Sequence, residues 1–395
     1  MEGDFIKINR WLLPLSWFYG LAVGFRNTLF EMGILKSRAF SLPVISVGNI
    51  TVGGTGKTPH VEYLIELLQG CSKVAVLSRG YKRKSHGFVM ADDSTSACDI
   101  GDEPFQMKQK YPKVMVAVDK NRVHGIEELT AREKDIDVVL LDDAYQHRYV
   151  KPGINILLVD YHRLIIYDKL LPAGRMREPL KGKNRAEIVI VTKCPRELKP
   201  MEFRVITKAM DLFPYQQLYF TTLEYGELKP VFENSTPDQK KLEGQGLSSL
   251  KTYNVLLLTG IASPRQMVED LTPEVKALTP LCFADHHNFC EKDVEQINSA
   301  FEAMPSPKCI VTTEKDAARL ISLTTLSQDV KDHIYSLPVH IKFMLDQGDK
   351  FNENILGYVR KNSRNSILAK GKDDHKSNDS HRSGDRPRTI SFRNN

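Results

Sequence analysis

The run VISVGNITVGGTGKTPHVEYLIELL, residues 44–68, decides the fold. A short apolar strand enters a Gly-rich loop, which passes through Gly56-Lys57-Thr58 into a helix. Val61, Leu64, Ile65 and Leu68 fall at i, i+3, i+4 and i+7, the spacing of one apolar helical face. Pro59 suits the first helical turn, where a missing N–H costs nothing. Glycines let backbone N–H groups approach phosphates, and the helix N-terminus adds a favourable dipole. The loop Thr51, Val52, Gly53, Gly54, Thr55, Gly56, Lys57, Thr58 is therefore the candidate nucleotide site. Lys57 is expected to reach the β- and γ-phosphates, and the Thr58 hydroxyl to bind Mg²⁺. The usual pattern has glycine where Thr51 stands.

Working outward, a phosphate loop needs an acidic partner at the end of another strand. DVVLLDDAYQH (137–147) supplies Asp142 and Asp143 after an apolar run; one of the two, Asp142 being the named candidate, is expected to hold Mg²⁺ directly or through water. A pair of Asp residues capping a turn is the plainer alternative. Further apolar runs at 73–78, 114–118, 154–159 and 188–192 alternate with helical patterns, which indicates a parallel sheet. The stretch 221–245 reads as hairpin-like or linker sequence. A second set of runs follows at 254–260, 278–284, 308–316 and 338–343. The expected fold is α/β: a P-loop NTPase-type parallel-sheet domain (36–215) and a second, smaller α/β domain (216–360).

Two end segments flank this body. Residues 11–25, WLLPLSWFYGLAVGF, hold both tryptophans of the chain. As a helix they span about 22 Å, short of the roughly 30 Å hydrocarbon core. Interfacial tryptophans favour a membrane-associated helix over residues 1–35. A buried core helix and a signal peptide are the competing readings. Residues 361–395 are polar and nearly free of apolar side chains, so disorder is expected. They carry nine basic and four acidic residues, nearly all of the net charge of +6. The rest is almost neutral, which gives no case for a nucleic-acid partner. Six scattered cysteines without a C-x-x-C pair imply a reducing compartment.

Eight blocks taken together, NITVGGTGKTP (49–59), LSRGYKR (77–83), IGDEPFQ (100–106), LDDAYQHR (141–148), LPAGRMREPL (171–180), LTGIASP (258–264), DHHNF (285–289) and TTEKDAARL (312–320), resemble the tetraacyldisaccharide 4′-kinase family. The resemblance runs from the N-terminal helix to about residue 345. Ala144 stands where that family usually has glycine, and Arg175 where proline is common. The resemblance implies transfer of a phosphoryl group from ATP to a lipid disaccharide, at a cleft between two α/β domains. It also implies work at the cytoplasmic face of the bacterial inner membrane. A monomer is expected.

Phosphoryl transfer needs positioning, neutralised charge and an oriented nucleophile. A carboxylate near the acceptor hydroxyl can take its proton, and Asp102 is the candidate base. Capping of the helix that starts near Glu103-Pro104 is the alternative role for that motif. His286 is a candidate catalytic residue through the resemblance alone. Glu103, Arg177 and Glu178 are placed with the substrate, the last two because they match family positions. Arg79 opens a basic run with Lys82, Arg83 and Lys84, suited to a phosphate or to simple solvation. Cys282, His286, His287 and Cys290 match no common zinc spacing. Thr192-Lys193-Cys194-Pro195 lacks the Asp that reads guanine, which favours ATP over GTP. A regulatory NTPase or a soluble small-molecule kinase would be the competing functions.

Overall fold

The computed structural model describes residues 6, 8–232, 241–261, 264–284, 287, 289–321, 323 and 325–379, with side chains to residue 363. Fourteen strands form two sheets among these residues. The larger sheet contains β1 (Val44–Gly48), β2 (Val74–Ser78), β3 (Val89–Met90), β4 (Met115–Val118), β5 (Val138–Asp142), β6 (Ile154–Asp160), β7 (Ile188–Thr192), β8 (Gln217–Tyr225) and β14 (Val339–Phe343), in the order β14-β8-β7-β6-β1-β5-β2-β4-β3. Its seven central strands run parallel, and β14 and β3 close the edges antiparallel. Residues in β1, β2, β5 and β7 are buried on both faces, which is why these runs do not alternate.

The smaller sheet holds β9 (Lys229–Pro230), β10 (Asn254–Thr259), β11 (Ala277–Cys282), β12 (Lys308–Thr313) and β13 (Ile334–Leu337), in the order β11-β10-β12-β13-β9. Its own core gathers Leu256, Leu258, Ile297, Phe301, Ile310 and Ile334. These strands lie inside the chain segment between β8 and β14. The two bodies therefore divide at 225/229 and again at 337/339, not at 215/216. Hydrophobic register explains the difference. β8 pairs β7 through Gln217–Phe220, burying Tyr219 and Phe220 in the first body, and β14 pairs β8 through Val339–Phe343. The stretch expected to be linker thus begins as sheet.

Six helices of the first body matter for the site: α1 (Leu13–Glu31), α2 (Lys57–Leu68), α3 (Ala97–Ile100), α4 (Asp102–Lys110), α5 (Arg122–Arg132) and α6 (Pro200–Met210). The second body adds α7 (Arg265–Leu271), α8 (Glu291–Glu302), α9 (Glu314–Leu320) and α10 (Gln328–His333). The last helix, α11 (Gly348–Asp379), returns to the first body and buries Phe351, Ile355 and Val359 against its core. Backbone helix continues across 361–379, part of the stretch whose composition suggests disorder, because it extends a helix already anchored by those three residues. Residues 380–395 lie outside the described residues.

The N-terminal helix has the reverse of a usual surface pattern. Ser16, Asn27 and Phe30 face the body, while Trp17, Phe18, Leu21 and Phe25 are exposed, Phe25 by 68%. Among the described residues no helix is long and apolar enough to cross a membrane. Polar anchors hold α1 in place. Ser16 donates to the Leu170 carbonyl (2.9 Å) and accepts from the Ala173 N–H (2.9 Å), and Tyr19 donates to the Arg177 carbonyl (2.9 Å).

Candidate active site

Parallel register brings the two halves of the phosphate site together. β1 lies between β5 and β6, with Val47 opposite Asp142. The loop after β1 and the acidic end of β5 therefore emerge side by side at the carboxyl edge of the sheet, where α/β proteins bind ligands. Ser78 at the end of β2 donates to Asp142 Oδ2 (3.0 Å). Thr192 at the end of β7 donates to the Thr55 carbonyl (3.0 Å).

The loop's left-handed residues are Gly53 (φ +121°) and Gly56 (φ +77°), the latter capping α2. Thr51 is not among them. It sits buried in an extended bridge to Met176, so a β-branched residue serves where the common pattern has glycine. The segment after β6 lines the loop from outside: Val52 N–H donates to the Arg175 carbonyl (2.8 Å), and Arg177 N–H to the Ile50 carbonyl (2.7 Å). From inside, Asn49 donates to Thr55 Oγ1 (2.9 Å), and Lys193 donates to the Gly54 carbonyl while pairing with Asp160 at 3.3 Å. His60 joins the Gly56 carbonyl (2.7 Å) to Thr221 Oγ1 (3.1 Å). Burial pushes its imidazole down to about 4, so it is neutral near pH 7 and serves as a brace.

Lys57 lies 3.6 Å from Asp143, whose backbone is left-handed (φ +46°). The following Ala144 has no such strain, so the absence of glycine there costs nothing. Asp142 is fully buried. Burial, and secondarily Glu103 and Asp143, push its carboxyl up to about 7, with Lys57 and Ser78 opposing. Its Oδ1 is buried without a hydrogen-bond partner among the described residues. A buried carboxylate oxygen left unsatisfied beside a second carboxylate is the donor set of a hard cation. Arg122 stays behind it, donating to the Asp142 carbonyl (3.3 Å), and burial lowers its pKa to about 10.

A cleft of about 770 Å³ opens over the loop between the two bodies. Gly53 to Pro59, Lys82, Glu103, Asp143, Arg175 and Arg177 line one wall, and Ile261, Phe283 and Thr313 to Lys315 the other. Lys57, Thr58, Asp143, Glu103 and Arg177, all singled out in the sequence, line this one cleft. Asp102, the first residue of α4, sits next to Glu103 but is not itself in the cleft lining; it pairs with Arg319 of α9 in the other body. Gly101 before it has φ +92°, and a Cβ there would lie 2.9 Å from the Tyr81 carbonyl, so only glycine lets α4 start here.

Other expected residues are placed differently. Glu178 is buried and pairs with Arg185 (2.8 Å), away from the cleft lining, because the turn at 180–185 folds back over it. Arg79 is exposed and outside the cleft lining. Arg83 donates to the Val118 carbonyl (3.3 Å) and the Gly87 carbonyl, which makes it a loop brace. His286 lies outside the described residues. His287 stacks on Phe283 and hydrogen-bonds Asp293 (2.8 Å). Among the described residues no group of three or more His, Cys, Asp or Glu side chains is placed to hold a metal ion by itself.

Sequence reasoning missed the residues that join the bodies. Lys315 pairs with Glu103 (3.2 Å), and Lys110 bridges Glu62 (2.8 Å) and Glu314 (3.3 Å). The TTEKDAARL block signalled this segment without assigning its charges.

Comparison with known proteins shows what the whole chain is similar to. The family model described as "Tetraacyldisaccharide-1-P 4'-kinase" matches residues 8–360. A protein of Phocaeicola vulgatus named tetraacyldisaccharide 4′-kinase is 58% identical, over 93% of this chain and 99% of its own length. One of Bacteroides thetaiotaomicron with the same name is 53% identical, over 95% and 100%. The crystal structure of LpxK from Aquifex aeolicus, described as an "apo" form in complex with ATP, superposes with a TM-score of 0.64 at 28% identity. That alignment covers 88% of this chain and 98% of the other. Family match, relatives and cleft geometry coincide over the same residues: the chain belongs to the tetraacyldisaccharide-1-phosphate 4′-kinase family.

Proposed function

We propose that this chain transfers the γ-phosphoryl group of ATP to the 4′-hydroxyl of a tetraacylated glucosamine disaccharide 1-phosphate, forming lipid IVA in lipid A synthesis. The observation that carries this reading is the shared cleft: the Lys57–Asp143 pair lines it together with Glu103 of α4, and Asp102 precedes Glu103 at the start of that helix.

Each residue has a physical task. Lys57 and the loop N–H groups offset phosphate charge. Thr58, Asp142 and Asp143 would hold Mg²⁺, which neutralises charge on the phosphates when bound. The unsatisfied Asp142 Oδ1 supports that assignment. Arg177 and Arg175 add cations at the mouth of the loop. Asp102 takes the acceptor hydroxyl proton as the new O–P bond forms and the bond to the leaving ADP breaks. Glu103 orients the sugar. His286 is assigned a supporting role on the family resemblance alone. One chain supplies both the phosphate loop and the base, which supports a monomer.

The enzyme acts on a lipid at a membrane surface, with α1 lying in the interface and the cleft open to the cytoplasm, where ATP is. The exposed aromatic face of α1 supports this.

Radiolabelled ATP with the lipid disaccharide tests the reading. Label is expected to appear on the lipid only when Mg²⁺ is present. Asp102→Asn is expected to slow transfer by at least about 100-fold, the scale of a lost general base, with the KM for ATP within about 3-fold of the parent. No label transfer by the parent would sink the kinase reading; full activity of the Asn variant would remove Asp102 from its role.

A further inference from the structure

The candidate base is not held by its own body alone. Arg319 Nε and Nη2 both donate to Asp102 Oδ2, the former at 3.1 Å. Asp102 belongs to the first body and Arg319 to the second, 217 residues apart in sequence. Arg319 is itself fixed. Its Nη1 donates to Asp316 Oδ1 (3.2 Å), and Asp316 is fully buried. Asp316 Oδ2 accepts from the Gly260 N–H (2.8 Å) and the Thr313 hydroxyl (2.8 Å). The guanidinium is thus anchored in the second body's core and presents its remaining edge to Asp102.

From this chain of contacts we infer that Arg319 is a positioning residue for the phosphoryl transfer: it orients and ionises Asp102, and does so only when the second body is docked against the first. This rests on Asp102 being the base. An arginine in such a pair holds a carboxylate charged and in one rotamer, since its planar fork fixes direction as well as charge. The contact reaches Asp102 from the other body, so moving the second body away from the first releases it. Base competence and docking of the second body become one event.

A purely structural clasp would use the same contacts, so the experiment separates the two through Asp102 itself. Steady-state phosphoryl transfer is measured for the full chain, Arg319→Met, Arg319→Lys, Asp102→Asn and the double variant Arg319→Met/Asp102→Asn. Loss of Arg319 is expected to lower kcat about 10- to 100-fold, the scale of one charge-assisted contact, with the KM for ATP within about 2-fold. The lysine variant recovers part of the loss. In the Asp102→Asn background, Arg319→Met is expected to cost less than about 2-fold, because the group it acts through is gone. The acidic limb of the kcat/KM profile moves up in Arg319→Met, as the carboxylate loses its cation while the neighbouring Glu103–Lys315 pair stays in place.

Equal losses in both backgrounds, or an acidic limb that stays in place while kcat falls, would overturn the inference and leave a clasp. An unchanged kcat in Arg319→Met overturns it as well. An active Asp102→Asn enzyme is a different failure, that of the base assignment.

Discussion

Glu62 lies one turn beyond the phosphate loop, buried, with a single lysine shared between it and Glu314. Burial raises its carboxyl to about 7; Lys110 opposes but must serve two acids. Lys110 is itself held above its ordinary value by those acids. The two directions are compatible, because the shared cation gains from both carboxylates while neither is fully compensated. Folded Glu62 keeps a proton between about pH 4.5 and 7 that the unfolded chain has released, so its contribution to stability falls as pH rises through that window and levels off above it. Glu62→Gln cannot titrate. Its melting temperature, compared with the parent's from about pH 5 to 7.5, is expected to decline less steeply. Parallel curves would mean that Glu62 is already ionised in the fold. At this scale the sequence was legible where chemistry is local. Lys57, Thr58 and the Asp142–Asp143 pair are read from a loop and a strand end. Arg319, Glu62 and Lys110 are not, since each gains its meaning from a partner more than forty residues away.

Among the elements, α1 decides how the molecule meets its surroundings. Its inward anchors are polar and its outward face is aromatic, so turning it over would bury Trp17 and Phe25 at the expense of the Ser16 and Tyr19 hydrogen bonds. Its anchors also reach the segment that lines the phosphate loop, through Leu170, Ala173 and Arg177. Trp17→Glu with Phe25→Glu removes two apolar side chains from the exposed face. Sedimentation with lipid vesicles is expected to show binding at least about 100-fold weaker, from roughly 1.5–3 kcal/mol for each side chain. Turnover of detergent-dispersed substrate should stay within about 3-fold, as neither residue touches the cleft. Undiminished vesicle binding would refute the membrane role of this face. The apolar run is plain in the sequence. Which side of it faces out is not, because that depends on Leu170 and Ala173, whose carbonyl and N–H are supplied by a distant loop.

In the molecule as a whole, most strands are legible because parallel, doubly covered strands read as unbroken apolar runs. Their allocation between the two sheets is not. β14 looks like one more strand of the second set, and only the burial of Ile341 and Phe343 with Tyr219 and Phe351 shows where it belongs. The return of the chain has an energetic consequence. A chain ending at residue 347 loses Phe351, Ile355 and Val359 from the first core, at roughly 2–5 kcal/mol for each large side chain. That is comparable with the whole stability of a domain, so this truncation is expected to yield unfolded protein by circular dichroism. A chain ending at 363 keeps these side chains, and should melt within about 3 °C of the full chain. Equal melting of the two would show that the last helix contributes nothing to the core.

The double crossing between β8 and β14 has a mechanical meaning. Tyr225 pairs with Val339, so the outgoing and incoming connections lie side by side on neighbouring strands. A body joined by one flexible thread can translate and tumble. A body joined by two adjacent strands can swing about the line they define but cannot drift from it. Each swing then carries α9 along nearly the same arc, and the probability of re-forming its ion pairs with α4 does not depend on a search in three dimensions.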